Sequence, residues 1–312
     1  MTERDDSERA RSRSGSTQAG PLFVGEDGHV LTGDAARRAL ADSGDAGFVQ
    51  DELGVVRVPR ERWNAAQRYE RNVWMNLAAH AEDDRNLDHA RAFEGYRILT
   101  GRRFESAIEL GCGPFTNLRL IARACEVRAC ALLDPLLEDY RHHRHCTYRH
   151  GLLALGENRL GQSLGRSLPG RALRRLLRRV RPALVLDGIP VSERLALPIE
   201  DLDGNRRYDL VVKINVLEHC FDAAAIFSRI LQLSPPGSIL VFHDKLFSGR
   251  RVASLVGARF DTGHPLRVDA KLVLEFLAGG FRPLFERRTL LQDVHDGVDL
   301  SEDAIYFVGE RT

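Results

Sequence analysis

Glu109-Leu110-Gly111-Cys112-Gly113 is the stretch whose residue types and spacing point most directly to ligand chemistry. An apolar run, Ala107–Leu110, leads into it, and a helical pattern opens behind it at Asn117-Leu118. The two glycines therefore form a turn between a strand and a helix. Glycine at 111 permits a tight bend, and glycine at 113 lets the backbone approach a ligand with no Cβ between them. The helix start offers free N–H groups to that ligand. Turns of this kind serve NAD, FAD and S-adenosylmethionine (SAM) alike, but two details favour SAM. The third glycine of a dinucleotide turn is missing, because Phe115, Thr116 and Asn117 follow. Glu109 also places a carboxylate two positions before the first glycine, where it repels a pyrophosphate and suits an ammonium or sulfonium group. Further on, Leu132-Leu133-Asp134-Pro135 ends a second apolar run. That puts Asp134 about twenty residues past the turn, where a carboxylate can accept both hydroxyls of a ribose. The competing reading of Asp134-Pro135 is a plain turn.

These residues need a scaffold. From residue 104 onward, apolar runs alternate with helical patterns: SAIELGCG, ACALLDP, PALVLDGIP, YDLVVKINVLEH, GSILVFHDKLF, FRPLFERRTL and AIYFVGE. Near-continuous apolar strands separated by helices predict a mostly parallel sheet in an α/β domain. Before it, residues 59–103 read as two cap helices. In the first, Trp63, Ala66, Tyr69 or Glu70, Val73 and Leu77 recur at helical spacing; the second ends near Gly101. The aromatics of the first, Trp63, Tyr69 and Trp74, read as packing on the sheet domain unless they face a ligand. Residues 21–58 predict a small, irregular, partly β module. Residues 1–20 are too polar to offset their own ordering entropy and read as a disordered tail. An insertion spans about 141–182, between the second and third strands. Within it Arg171–Arg181 is an amphipathic basic helix, either docked by its leucines or acting as a lid for an anionic acceptor.

ELGCGPFTN, LLDP, SERLALP, YDLVVKINVLEH and GSILVFHD occur in that order. The set resembles the successive motifs of class I SAM-dependent methyltransferases, in particular the subgroup with a VLEH fourth motif. The resemblance covers residues 104–245 well and the last third loosely. It implies a Rossmann-like, seven-stranded sheet with helices on both faces and an antiparallel last strand near AIYFVGE. It implies that Glu109 serves the methionine end of SAM, and that Gly111 and Gly113, followed by Asn117, pass beneath the cofactor. Asp134 would hold the ribose, Pro135 would flank the adenine, and Ser192 and Glu193 would lie near the adenine amine. Asn215 and Val216 would line the cofactor and acceptor side.

Methyl transfer to a hydroxyl needs a base, and His219, His243 and His264 fall where strands end near the cofactor. For each one the competing reading is a packed or capping side chain. Asp244 would orient one of the three. Asn215-x-x-Glu218-His219 lacks the first carboxylate of a metal-supporting ExxEH motif, and His142, His143, His145, Cys146 and His150 match no zinc spacing, so no metal is expected. The expected partner is a small-molecule acceptor, anionic or sugar-like, with O-methylation favoured. A net charge of +1 gives no case for nucleic acid, and no apolar run is long enough to span a membrane. Five cysteines without a CxxC pair, and no signal-like N-terminus, lead to a cytoplasmic expectation. The alternatives are a nicotinamide-dependent Rossmann oxidoreductase and a SAM-binding partner protein without catalysis.

Overall fold

The structure is a computed structural model. It describes residues 22–25, 29–42, 49–51, 54–76, 84–148, 152–154, 188–247, 259–291, 294–295, 298–299 and 302–312. The expected tail at 1–20 and the Arg171–Arg181 helix lie outside the described residues.

Eight strands form the central sheet, numbered here in chain order. They are β1 (Ala107–Leu110), β2 (Cys130–Leu133), β3 (Leu152–Ala154), β4 (Gly188–Leu195), β5 (Leu210–Ile214), β6 (Ile239–Leu246), β7 (Phe281–Leu291) and β8 (Glu302–Arg311). Their spatial order is β7-β8-β6-β5-β1-β2-β4-β3. Pairs β6–β5, β5–β1, β1–β2 and β2–β4 are parallel. The last strand, β8, runs antiparallel between β6 and β7. The seven expected strands are therefore joined by an eighth. It is β3, supplied by the insertion after β2, and it runs antiparallel along the outer edge of β4, covering backbone that would otherwise be unpaired.

Side chains alternate across this sheet as the pleat requires. Ile108, Leu110, Leu133, Val211 and Phe242 enter one core layer, while Ala107, Leu132, Leu210, Val212 and Val241 enter the other. Seven helices are labelled: α1 (Gly33–Asp42), α2 (Arg60–Asn76), α3 (Asn86–Ala92), α4 (Leu118–Ile121), α5 (Leu137–Tyr140), α6 (Ala223–Leu233) and α7 (Ala270–Gly280). Ile226, Phe227 and Ile230 of α6, with Val273 and Leu277 of α7, cover the first face; Leu118 and Ile121 of α4 and Tyr140 of α5 cover the second. Helices thus lie on both faces.

Register brings the carboxyl ends of four strands into line. Leu110 pairs with Leu133 and with Lys213, and Ile214 pairs with His243. Loops leaving these ends meet in one crevice, the place where open α/β sheets hold ligands.

The N-terminal segment does not build its sheets alone. The hairpin Leu22–Val24/Val30–Thr32 pairs with Arg259–Asp261, and Gly54–Arg57 pairs with Arg267–Val268. The second cap helix breaks at Phe93, where Glu94, Gly95 and Tyr96 take positive φ. The bend turns Phe93, Tyr96 and Leu99 into the core, where each is almost fully buried.

Candidate active site

The turn after β1 has the backbone that the glycines allow. Gly111 has φ +70°, and its N–H donates to the Leu133 carbonyl at 2.8 Å. A Cβ at Gly111 would lie 2.5 Å from Val216 Cγ1, so the turn presses directly on the loop after β5. Gly113, at φ +53°, has open space where its Cβ would be.

Glu109 does not reach the cavity. Its carboxylate is buried beneath the turn and accepts from Thr116 Oγ1, Asn117 N (2.7 Å), Asn117 Nδ2 (3.0 Å) and Leu118 N (3.1 Å). Burial raises its pKa, and these hydrogen bonds oppose the rise. The carboxylate satisfies free N–H groups at the start of α4 and braces the turn from below. Asn117, held by Glu109, does line the cavity.

Asp134 is in place. Its Oδ2 accepts from Gly113 N at 3.0 Å and its Oδ1 from Leu136 N at 2.8 Å. Each carboxylate oxygen has a second lone pair, and Asp134 and Pro135 both line the cavity. Burial pushes the Asp134 carboxyl up to about 6.

Ser192 and Glu193 lie elsewhere. The strand runs on to Leu195, so both sit inside β4, exposed, and Glu193 pairs with Arg206. The cavity instead receives Pro198, Ile199 and Glu200 from the turn that follows. Glu200 Oε1 accepts from Phe221 N (2.8 Å) and Asp222 N (3.2 Å), while its Oε2 is buried with no partner among the described residues. The apolar continuation LALPI past Glu193 was the signal for a longer strand.

Asn215 takes φ +57°, a conformation asparagine tolerates better than most residues, and its N–H donates to the His243 carbonyl at 3.0 Å. Asn215 and Val216 both line the cavity. Asp244 does not orient a histidine. It contacts the Lys213 ammonium within the core and accepts from Leu217 N at 3.1 Å, fastening the β5 loop to β6. Burial pulls the Lys213 pKa down to about 7, and an opposite charge in contact, as Asp244 is, favours the ammonium form.

The opposite wall comes from α2, whose Trp63, Gln67, Glu70 and Trp74 share one helical face and line the cavity. Trp63 Nε1 and Gln67 Nε2 donate to the His219 carbonyl at 3.1 and 3.3 Å. His219 Nδ1 lies 3.1 Å from the Gly263 carbonyl and 3.4 Å from Glu70 Oε1. Burial lowers the His219 pKa, Glu70 opposes that, and the ring is neutral at pH 7. The His264 ring stands 4.6 Å from it. Beneath both is Glu218, within 3.0 Å of Lys245 Nζ, 3.5 Å of Arg267 and 3.7 Å of His264 Nε2. Burial alone would raise Glu218; Lys245, His264 and Arg267 together hold it well below the usual carboxylate range. His243 is fully buried on the neighbouring wall beside His89 and Tyr306. Sequence reading missed Lys245, Arg267, His89 and Tyr306, which belong to elements far apart in the chain.

Among the described residues, Glu70, His219 and His264 alone place donor atoms close enough together for a metal ion, within 4.8 Å. No metal was expected here. Lys245 and Arg267, held at the adjacent Glu218, set two positive charges beside that point and oppose a dication.

All of this surrounds one cavity of about 710 Å³, within the range for small-molecule sites. Its features fit SAM. Asp134 keeps free lone pairs for a ribose diol, Glu200 Oε2 lacks a donor such as an adenine amine, and nothing obstructs approach over Gly113.

A family model described as a methyltransferase domain matches residues 79–296. The chain belongs to that family. It is a SAM-dependent methyltransferase with a Rossmann-like α/β fold, and membership decides against the nicotinamide oxidoreductase alternative. No curated protein matches the sequence. Solved structures similar to this methyltransferase include the N-methyltransferase NodS from Bradyrhizobium japonicum in complex with S-adenosyl-L-homocysteine (SAH). NodS is 15% identical, with 80% of this chain and 98% of that chain covered and a TM-score of 0.45. Another is the 1,6-didemethyltoxoflavin-N1-methyltransferase from Burkholderia thailandensis, 15% identical over 82% and 91% of the two chains, with a TM-score of 0.43. In the described part of the methyltransferase, no helix is long and apolar enough to cross a membrane.

Proposed function

We propose that this methyltransferase transfers the methyl group of SAM to a hydroxyl oxygen of a small-molecule acceptor, with His219 removing the proton. In this reading Asp134 holds the ribose, Glu200 and Pro135 flank the adenine, and Asn215 and Val216 line the methyl-donor side. SAM supplies a methyl carbon already activated by a sulfonium, so the chain has to align the acceptor oxygen and accept its proton.

The single observation that carries the reading is the setting of His219. Its Nδ1 faces the Gly263 carbonyl and Glu70, so Nδ1 carries the ring proton and Nε2 keeps a lone pair. Nε2 lies 3.9 Å from Glu218 Oε1, a carboxylate that stabilises the imidazolium formed when Nε2 takes a proton. His264, beside His219 and 3.7 Å from Glu218, acts as a positioning residue. His243 makes no hydrogen bond to a carboxylate among the described residues and is not assigned the base role.

The test uses SAM labelled in its methyl group and a pool of hydroxyl-bearing small molecules. The wild-type protein should yield base-stable methyl ethers. His219→Asn should bind SAH as tightly as wild type while turnover falls by roughly 10²–10⁴-fold. Label recovered only on nitrogen or carbon, or full turnover by His219→Asn, overturns the proposal.

A further inference from the structure

Asn215 is the first residue after β5, and its backbone takes φ +57°. Glycine adopts that conformation at no steric cost, and most positive-φ positions among the described residues are glycines, Gly111 and Gly113 included. Glu94 and Tyr96 share the conformation, but both belong to the bend after α3. Of the three non-glycine residues, Asn215 is the one that lines the cavity. Strain of this kind persists at crevices where the side chain that bears it is used. Asparagine brings a carboxamide with two N–H donors and a carbonyl acceptor. The residue is half-buried, and its carboxamide makes no hydrogen bond with any other described residue.

Its surroundings define what the carboxamide can meet. The Asn215 N–H is held by the His243 carbonyl at 3.0 Å, and the next residue, Val216, is pressed against Gly111. Residue 215 is therefore fixed at the strand end from both sides. The turn Leu217–His219 follows directly and carries the His219 ring. In the reading above, Asp134 takes the ribose, Glu200 the adenine, and Asn215 lies on the methyl-donor side. A methyl sulfonium offers no hydrogen-bonding atom, so the partner left for the carboxamide there is the acceptor. The reacting oxygen itself does not suit. It sends its proton to His219 and needs a lone pair for the methyl carbon, and an N–H bonded to it would hold that pair back. An oxygen beside it fits.

We infer that the Asn215 carboxamide determines acceptor specificity by binding a second oxygen on the carbon next to the one that is methylated, so that the acceptor is a vicinal diol or a hydroxy-carbonyl compound. Nδ2 donates to that second oxygen, and Oδ1 accepts from it where it is a hydroxyl. Holding the acceptor at two neighbouring oxygens fixes the reacting one between the methyl group and His219, the alignment that an in-line displacement requires. The inference rests on the hydroxyl-methylation reading above and names the acceptor class for the same site.

The experiment uses the full-length protein saturated with SAH and labelled with ¹⁵N at asparagine, with catechol and resorcinol as probes. The two probes have the same atoms, and only catechol places its hydroxyls on adjacent carbons. Catechol should bind at least about fivefold more tightly than resorcinol, the worth of one hydrogen bond. It should also shift the Asn215 side-chain signals, which are identified by their absence in Asn215→Gly. That variant keeps the backbone conformation and removes the carboxamide. It should fold, bind SAH as tightly as wild type, and bind the two probes equally. A glycine variant that keeps the catechol preference would assign Asn215 to the turn alone and overturn the inference. Equal binding of the probes by the wild type, or no catechol binding at all, would overturn it too. So would a loss of SAH affinity in Asn215→Gly, which would give the carboxamide to the cofactor. Probe binding is read without turnover, so the two readings fail separately: methyl label found only on nitrogen or carbon would sink the hydroxyl reading on which the inference stands.

Discussion

Alanine at position 111 tests whether the turn and the β5 loop are a single packed unit. Two costs add there. The backbone sits at φ +70°, and an L-residue in that region costs about 1–2 kcal/mol. The new methyl would also fall 2.5 and 2.6 Å from Val216 Cγ1 and Cγ2, far inside van der Waals contact. Overpacking of this kind costs about 1–3 kcal/mol. The expected total is about 2–5 kcal/mol, or a melting temperature lowered by roughly 4–15 °C. Val216→Ala in the same protein removes both clashing carbons and should return the overpacking share, leaving the backbone strain. A double-mutant cycle by urea denaturation should therefore show a favourable coupling of at least about 1 kcal/mol. Gly113→Ala is the control. Its methyl meets nothing, so it should lose only about 1–2 kcal/mol to strain, while SAH binding suffers because the methyl stands in the cavity. Two results would refute the reasoning: Gly111→Ala as stable as wild type, or a Gly111–Val216 coupling of zero.

Other outcomes follow from the same geometry. Asp134→Asn should weaken SAH binding by about 1–3 kcal/mol by calorimetry. Because burial pushes the Asp134 carboxyl up to about 6, wild-type affinity should fall as pH drops through about 6, and that step should vanish in the variant. Glu70→Gln should shift the acidic limb of the kcat/KM profile to lower pH, since Glu70 is the main group raising the His219 pKa against burial; an unmoved limb would remove Glu70 from the base assembly. Glu109→Gln should destabilise the fold by about 1–3 kcal/mol in denaturant titrations, because an amide cannot accept from all four donors around it. A loss of SAH affinity in that variant with unchanged stability would return Glu109 to the cavity.

The residues singled out in the sequence that line the cavity share a physical property. Gly111, Gly113, Asp134, Asn215 and Val216 lie within a few positions of a strand end, so strand periodicity alone places them at the crevice. Ser192 and Glu193 were misplaced because β4 continues to Leu195, and two residues of extra strand carry the turn past them. Glu109 is held under the turn by Thr116, Asn117 and Leu118, a set of bonds that strand periodicity does not show. The eighth strand was hidden because it comes from an insertion with no periodic signature of its own. The cluster on Glu218 draws Lys245 from β6 and His264 and Arg267 from the segment before α7. Tertiary packing alone assembles such a set, and no local pattern announces it. The α2 face was legible as a stripe, but its spacing could not say whether Trp63 and Glu70 faced a core or a ligand, and Gln67 lay outside the stripe.

The joining of early and late segments bears on how the enzyme comes into being. Arg62 of α2 donates to the Thr262 carbonyl, 200 residues further on, and Gly54–Arg57 finds its strand partner at Arg267–Val268. During synthesis the roof of the crevice meets Asp139 and the His219 carbonyl first, and gains its last fastenings only when nearly the whole polypeptide has left the ribosome. Non-local pairings of this sort form late and slowly, so a product shortened before residue 259 would hold the cover of the crevice by fewer anchors, without those at Thr262 and Arg267–Val268.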